Sequence, residues 1–135
     1  MSGNTYVYNN ARHLFATAQI NWPSANARAS LVNGAYAPQP GDKFYSNIPP
    51  GAIMKDALMA GLGENNGICY GTIPQFLAFA SPSQVVGVVI YLDTGDPTSS
   101  PLIYYSDDGL GFPFQPLSFN YAVAFDQSAG GWFQI

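Results

Sequence analysis

His13 is the only histidine of this chain and Cys69 its only cysteine. Two such residues cannot supply the three or four nitrogen and sulfur ligands of a zinc-type site. A lone cysteine also has no intrachain disulfide partner. A serine–histidine–carboxylate triad would have to use His13, yet no Gly-x-Ser-x-Gly elbow accompanies it. Beside Arg12 in a helix-forming stretch, His13 reads as a surface residue. The carboxylates offer more. Asp93-Thr94-Gly95-Asp96 and Asp107-Asp108-Gly109 are acid-bearing loops that follow apolar runs. Oxygen ligands on such loops would suit Ca²⁺, and two carboxyls facing across a cleft would suit glycoside hydrolysis. No EF-hand pattern is present, and an Asp just before Gly forms turns by bonding its side chain to nearby backbone. Turn formation is the expected role, and no catalytic, cofactor-binding or metal-binding residue is assigned.

The aromatics are the other chemistry-bearing group, with nine Phe, nine Tyr and two Trp. Tyr6, Tyr8, Trp22, Tyr36 and Tyr45 lie near expected loops, where exposed rings would stack on sugars or on a partner protein. The alternative for any of them is packing, because a buried ring covers a large apolar area. Packing is the expected role of Tyr91, Phe119 and Phe125, which fall in strand-like runs.

Such residues need a scaffold, and 135 residues suit one domain. Hydrophobic residues make up 47% of the chain, enough apolar surface to offset chain entropy. Charged residues make up only 9%, so the surface relies on Asn, Gln, Ser and Thr and lacks the usual repulsion against association. Four cations, Arg12, Arg28, Lys43 and Lys55, are scattered among eight carboxylates. With a net charge of −4, a nucleic-acid partner is not expected. The strongest apolar run, residues 85–92, is too short to cross a bilayer as a helix, so no membrane partner is expected either. Residues 1–10 carry neither the basic region nor the apolar stretch of a secretory signal, which points to synthesis without export.

Turn formers divide the chain, with 14 Gly and 11 Pro. Short runs of Val, Ile, Tyr and Phe between them predict a sandwich or barrel of short strands. Ala11, Leu14, Phe15 and Ala18 form one apolar stripe at helical spacing. Asn9 or Asn10 would cap that helix, and it must stop before Trp22-Pro23. Strands are predicted over 27–33, 85–93, 102–106 and 117–125. The last of these should form a C-terminal hairpin with 132–135. The stretch 54–60 is rich in helix formers, but Asn66-Gly67 is a two-residue hairpin signal. A hairpin of 56–62 with 68–72 is therefore predicted.

These elements carry a resemblance. The helix is followed by Ile20-Asn21-Trp22 and the strand containing Ala29-Ser30-Leu31-Val32. Tyr36-Ala37-Pro38, Lys43-Phe44 and Ile48-Pro49 come next. Val89-Ile90-Tyr91-Leu92-Asp93-Thr94-Gly95 then leads through a Ser-rich loop to Leu102-Ile103-Tyr104-Tyr105, and the chain closes on Trp132-Phe133-Gln134-Ile135. In these motifs and their order it resembles small structural proteins of tailed-bacteriophage virions, of the capsid decoration or cement kind. The helix-prone segment at Met54, together with Cys69 and Ile73-Pro74, departs from that pattern.

The resemblance implies a mainly β protein, an antiparallel β-sandwich or jelly-roll-like barrel with one short N-terminal helix. It implies a non-enzymatic role without cofactor, on the capsid exterior of a virion, after synthesis in the host cytoplasm. The implied partners are the major capsid protein and further copies of the chain, as a homotrimer. Residues 1–10 are expected to form an arm and 11–135 the domain. Contacts are expected from that arm and from the Pro-rich loops, at Tyr6, Tyr8, Trp22, Tyr36, Pro38, Pro40, Tyr45, Pro97 and Pro101. A tail or baseplate module that binds glycan or receptor through the loop aromatics is the alternative.

Overall fold

A computed structural model describes residues 5–65, 68–71, 75–107, 113–122 and 133–134. The described chain is mainly β, with antiparallel sheets and a single α-helix, as the sequence predicts. Its largest sheet has five strands: β1 (Thr5–Val7), β2 (Ala27–Val32), β3 (Ile53–Leu58), β7 (Gly87–Leu92) and β8 (Leu102–Ser106). Their order is β1-β8-β7-β2-β3. The central β7, Gly-Val-Val-Ile-Tyr-Leu, is buried on both faces except at its last residue, which explains its unbroken apolar run.

Register gives each face its character, because residues directly opposite in antiparallel strands point the same way. Tyr6 pairs with Tyr105, Tyr105 with Val89, Val89 with Ser30, and Ser30 with Asp56. This single row crosses all five strands and, apart from Val89, is polar or aromatic. The opposite face carries Ala29, Leu31, Val88 and Ile90, all fully buried.

Helix α1 spans Asn9–Ala16 and starts one residue after the ladder ends. The amide of Tyr8 still donates to the Ile103 carbonyl at 3.0 Å, and Tyr8 is the N-cap. Neither Asn9 nor Asn10 caps the helix, contrary to the sequence reading, because the end of the sheet ladder at Tyr8 starts the helix just before that pair. Residues 5–10 likewise differ from the arm expected over 1–10. They hold β1 and the first helical turn, and Tyr8 is fully buried. Residues 1–4 lie outside the described residues.

Two pairings also differ from expectation. The segment 53–58 is a strand on the sheet edge beside β2, not half of the Asn-Gly hairpin. That hairpin signal is flanked instead by shorter strands, β4 (Gly63–Asn65) and β5 (Ile68–Tyr70). Asn66 and Gly67 themselves lie outside the described residues. Among the described residues the strands of the predicted C-terminal hairpin pair elsewhere. Strand β9 (Leu117–Ala122) pairs with β6 (Gln75–Ala80), and β10 (Phe133–Gln134) pairs with β5. In the second case distant pairing wins over the nearest neighbour in sequence. The predicted alternation beyond residue 122 falls outside the described residues.

Candidate interaction surface

The loop between β2 and β3 folds back over the polar row, and its tyrosines fasten it there. At one end Tyr36 is 5% exposed. Its hydroxyl donates to Asp42 Oδ2 at 2.8 Å and shares a 2.8 Å hydrogen bond with the Tyr8 hydroxyl. The Gln39 amide closes the turn on the same carboxylate oxygen. Tyr6 stands edge-on to Tyr8, with ring centroids 5.3 Å apart, and Tyr36 stands edge-on to Tyr105. The Tyr105 hydroxyl donates to Asp107. Burial is the main reason that the hydroxyls of Tyr8, Tyr36 and Tyr105 hold their protons well above the ordinary phenol range.

At the other end Tyr45 stacks on Tyr91, with centroids 3.9 Å apart and planes 20° apart. Ser30, which is fully buried, joins this stack to a carboxylate. Its hydroxyl lies 2.7 Å from the Tyr45 hydroxyl and donates to Asp56 Oδ1 at 2.9 Å. Tyr91 donates to the same oxygen at 3.0 Å, and Arg28 Nε binds Asp56 Oδ2. The hydrogen bond to Asp56 holds the guanidinium of Arg28 above its ordinary value. Charge and donors are thus matched around a half-buried carboxylate.

The second loop follows β7. The Gly95 amide bonds Asp93 Oδ1 at 2.8 Å, and Gly95 has φ 89°, a conformation that favours glycine. The amide and hydroxyl of Thr98 both donate to Asp96 Oδ1, and these bonds lower the Asp96 carboxyl below its usual range. Both aspartates act as turn formers, as the sequence predicts.

The two loops are then stitched together. The Tyr45 amide donates to Ser100 O at 2.8 Å, Ser46 to Pro97 O at 3.0 Å, and Leu102 to Lys43 O at 2.9 Å. Phe44 and Pro101 form a β-bridge. The Asn9 amide reaches Pro40 O, which ties the start of α1 to the same body. Residues 37–47 and 94–101 therefore form one shelf. Among its exposed residues only Lys43 and Asp96 are charged.

The expected contact residues divide sharply. Pro40 and Pro97 are exposed on the shelf, with Pro38 and Tyr45 half-buried in it. Pro101 belongs to the shelf but is buried. Tyr6 is half-buried. Tyr8, Trp22 and Tyr36 are packed inside the chain and offer no outward ring. Trp22 sits in a 3-10 turn, where its indole Nε1 donates to the Tyr70 carbonyl at 3.0 Å. The sugar platform expected of the loop aromatics thus loses these three rings to the core. His13 is exposed on α1. Cys69 is buried, and desolvation pushes its thiol up to about 12. Among the described residues no three His, Cys, Asp or Glu side chains gather as a metal site would need. Asp108 lies outside the described residues.

Sequence reasoning missed Arg28, Ser30, Asp42, Asp56 and Tyr105. The alternation of Arg28 and Ser30 with Ala27, Ala29 and Leu31 marked a polar sheet face. Its partner is not visible in sequence, because the Asn-Gly signal assigns Asp56 to another hairpin whereas the structure pairs it with Ser30. No described helix is long and apolar enough to cross a membrane. Compared with protein-family models, curated proteins and solved structures, the chain matches none of them.

Proposed function

We propose that this chain is a non-enzymatic structural protein of a tailed-bacteriophage particle that decorates the capsid and clamps neighbouring capsid subunits. The observation that carries this reading is the shelf. Two loops some fifty residues apart in sequence are pinned into one low-charge surface by backbone hydrogen bonds, with Tyr36 bonded to Asp42 and Tyr45 to Ser30 in the first of them. A surface fixed before binding loses little conformational freedom when it docks, so more of its contact energy appears as affinity. Contact area of about 800 Å² per partner makes a specific interface, and repetition over many capsomers multiplies its effect.

The virion assignment itself rests on the sequence motifs around Trp22, Tyr36 and Asp93-Thr94-Gly95. In this reading the chain acts as a homotrimer on the capsid exterior, after synthesis in the host cytoplasm, with the major capsid protein as its partner. The three sheets would stack as the sandwich or jelly-roll-like barrel that the resemblance implies. A tail or baseplate module is the second reading, and copy number separates the two. Protein band intensities from purified particles should show the chain at a level comparable to the major capsid protein. A few copies per particle would favour the tail, and absence would sink both.

A further inference from the structure

We infer that the loop after β7 promotes scission of its own backbone at Asp96–Pro97, with the Asp96 carboxylate as nucleophile and the Asp96 carbonyl as its target. This goes beyond the decoration reading and does not depend on it. Asp96–Pro97 is the only Asp–Pro bond of the chain.

The carbonyl is the first reason. Its oxygen accepts the Ser99 amide at 3.0 Å, which alone would close the turn. The hydroxyls of Ser100, Thr94 and Ser99 reach the same oxygen at 2.9, 3.1 and 3.3 Å. These donors outnumber the two lone pairs of a carbonyl, so the oxygen keeps partners whichever hydroxyl turns away. Donors gathered on one oxygen favour the negative charge it carries once its carbon is attacked.

The carboxylate is the second. The amide and hydroxyl of Thr98 hold Asp96 Oδ1 at 2.9 and 2.8 Å. Oδ2 accepts no hydrogen bond from the described residues. Bonding to the amide two residues on lays the carboxyl group alongside its own peptide bond. A nucleophile tethered beside its target acts at a high effective concentration. The Thr98 bonds also favour the ionised form, which is the one that attacks. The other charged groups of the two loops are engaged elsewhere or exposed. Asp93 holds the Gly95 amide, Asp42 holds Tyr36, and Lys43 is exposed.

The leaving group is the third. Pro97 carries no N–H, and its nitrogen leaves as a secondary amine. Asp96 and Pro97 are both exposed, so water and hydronium reach the bond.

The reaction balances with water alone. Asp96 Oδ2 adds to the Asp96 carbonyl carbon and closes a cyclic anhydride. The carbon–nitrogen bond breaks, its electron pair goes to Pro97 N, and that nitrogen takes a proton from solvent. Water then opens the anhydride and leaves Asp96 with a free α-carboxyl beside its side-chain carboxyl. Nothing is oxidised or reduced. The cut falls between β7 and β8, whose pairing holds the two pieces together. Each chain reacts once, on itself.

The test follows the intact mass of the purified chain at the lowest pH where circular dichroism still reports the native fold. The same chain in urea at that pH gives the rate of the bond without the fold. Scission at Asp96–Pro97 is expected to be at least about tenfold faster in the native chain. Asp96→Asn should abolish that advantage, and Ser100→Ala should reduce it about tenfold. Ser100 is buried, so Thr94→Val, at an exposed position, removes a second donor should Ser100→Ala fail to fold. A native rate no faster than the rate in urea would overturn the inference. Undiminished scission in Asp96→Asn would remove the carboxylate as nucleophile, and undiminished scission in the folded donor variants would remove the role of the hydroxyls.

Discussion

Ser30 and Tyr45, fifteen residues apart in sequence, share a 2.7 Å hydrogen bond that fastens a surface loop to strand β2 of the sheet. Ser30 also bonds Asp56, so one buried hydroxyl joins the loop, the β2 strand and the β3 edge. The shelf inherits its fixed shape from this link and from its counterpart at Tyr36 and Asp42.

Ser30→Ala should therefore cost more than one ordinary surface hydrogen bond. It takes the Ser30 bond from the Tyr45 hydroxyl and leaves Asp56 Oδ1 with Tyr91 alone, at about 1–3 kcal/mol. Tyr45→Phe keeps the stack on Tyr91 and should cost about 1 kcal/mol. Urea denaturation would rank the two. Equal, negligible losses would show that the loop is held by other contacts.

Gly87 faces the Tyr105 ring. A methyl group there would lie 2.7 Å from the Tyr105 hydroxyl oxygen, and Tyr105 is 2% exposed, so it has little room to move. Gly87→Ala is expected to destabilise by about 1–3 kcal/mol, the usual cost of overpacking. A thermal melt unchanged from wild type would contradict this placement of the ring.

Ala18, just past the helix C-cap Thr17, has φ 60°, while the Gln19 amide bonds Leu14 O and the Ala18 amide bonds Phe15 O. That pattern normally carries glycine at the left-handed position. Ala18→Gly should raise stability by about 0.5–1 kcal/mol by relieving the backbone. A lower melting temperature would count against the left-handed helix end.

Alkaline pH should unfold the protein through its buried acids. The Cys69 thiol is raised from 9.0 to about 12 and the Tyr6 phenol from 10.0 to about 12, both chiefly by desolvation. Below the unfolded values both states keep the proton, and the stabilisation is fully present. As pH rises from about 9 toward 12, the unfolded chain ionises first and that stabilisation is lost. Denaturation midpoints should be level up to about pH 9 and fall beyond it. Rapid alkylation of Cys69 in the native protein near neutral pH would contradict its burial.

The elements legible in the sequence were those decided locally or by strong composition. The strands over 27–32, 87–92 and 102–106 announced themselves through β-branched and aromatic runs, and the acidic loop at Asp93 through its turn residues. What stayed hidden depended on distant pairing. Met54, Ala57 and Leu58 favour helix by propensity, yet edge pairing with β2 and the Asp56 bonds to Arg28 and Ser30 make the segment a strand. Tyr36 read as a loop residue because Pro38 and Pro40 follow it. Only the return of the loop to Tyr8 makes it part of the core. The shelf was legible as two loops, not as one surface.

Lys43 gives the most direct test, because it is exposed on the shelf next in sequence to Phe44, which bridges to Pro101. Particles treated with an amine-reactive cross-linker and digested should yield Lys43 joined to the major capsid protein at high yield. Cross-links to tail proteins alone, or a Lys43 as freely labelled on the particle as in the isolated protein, would contradict docking through this face.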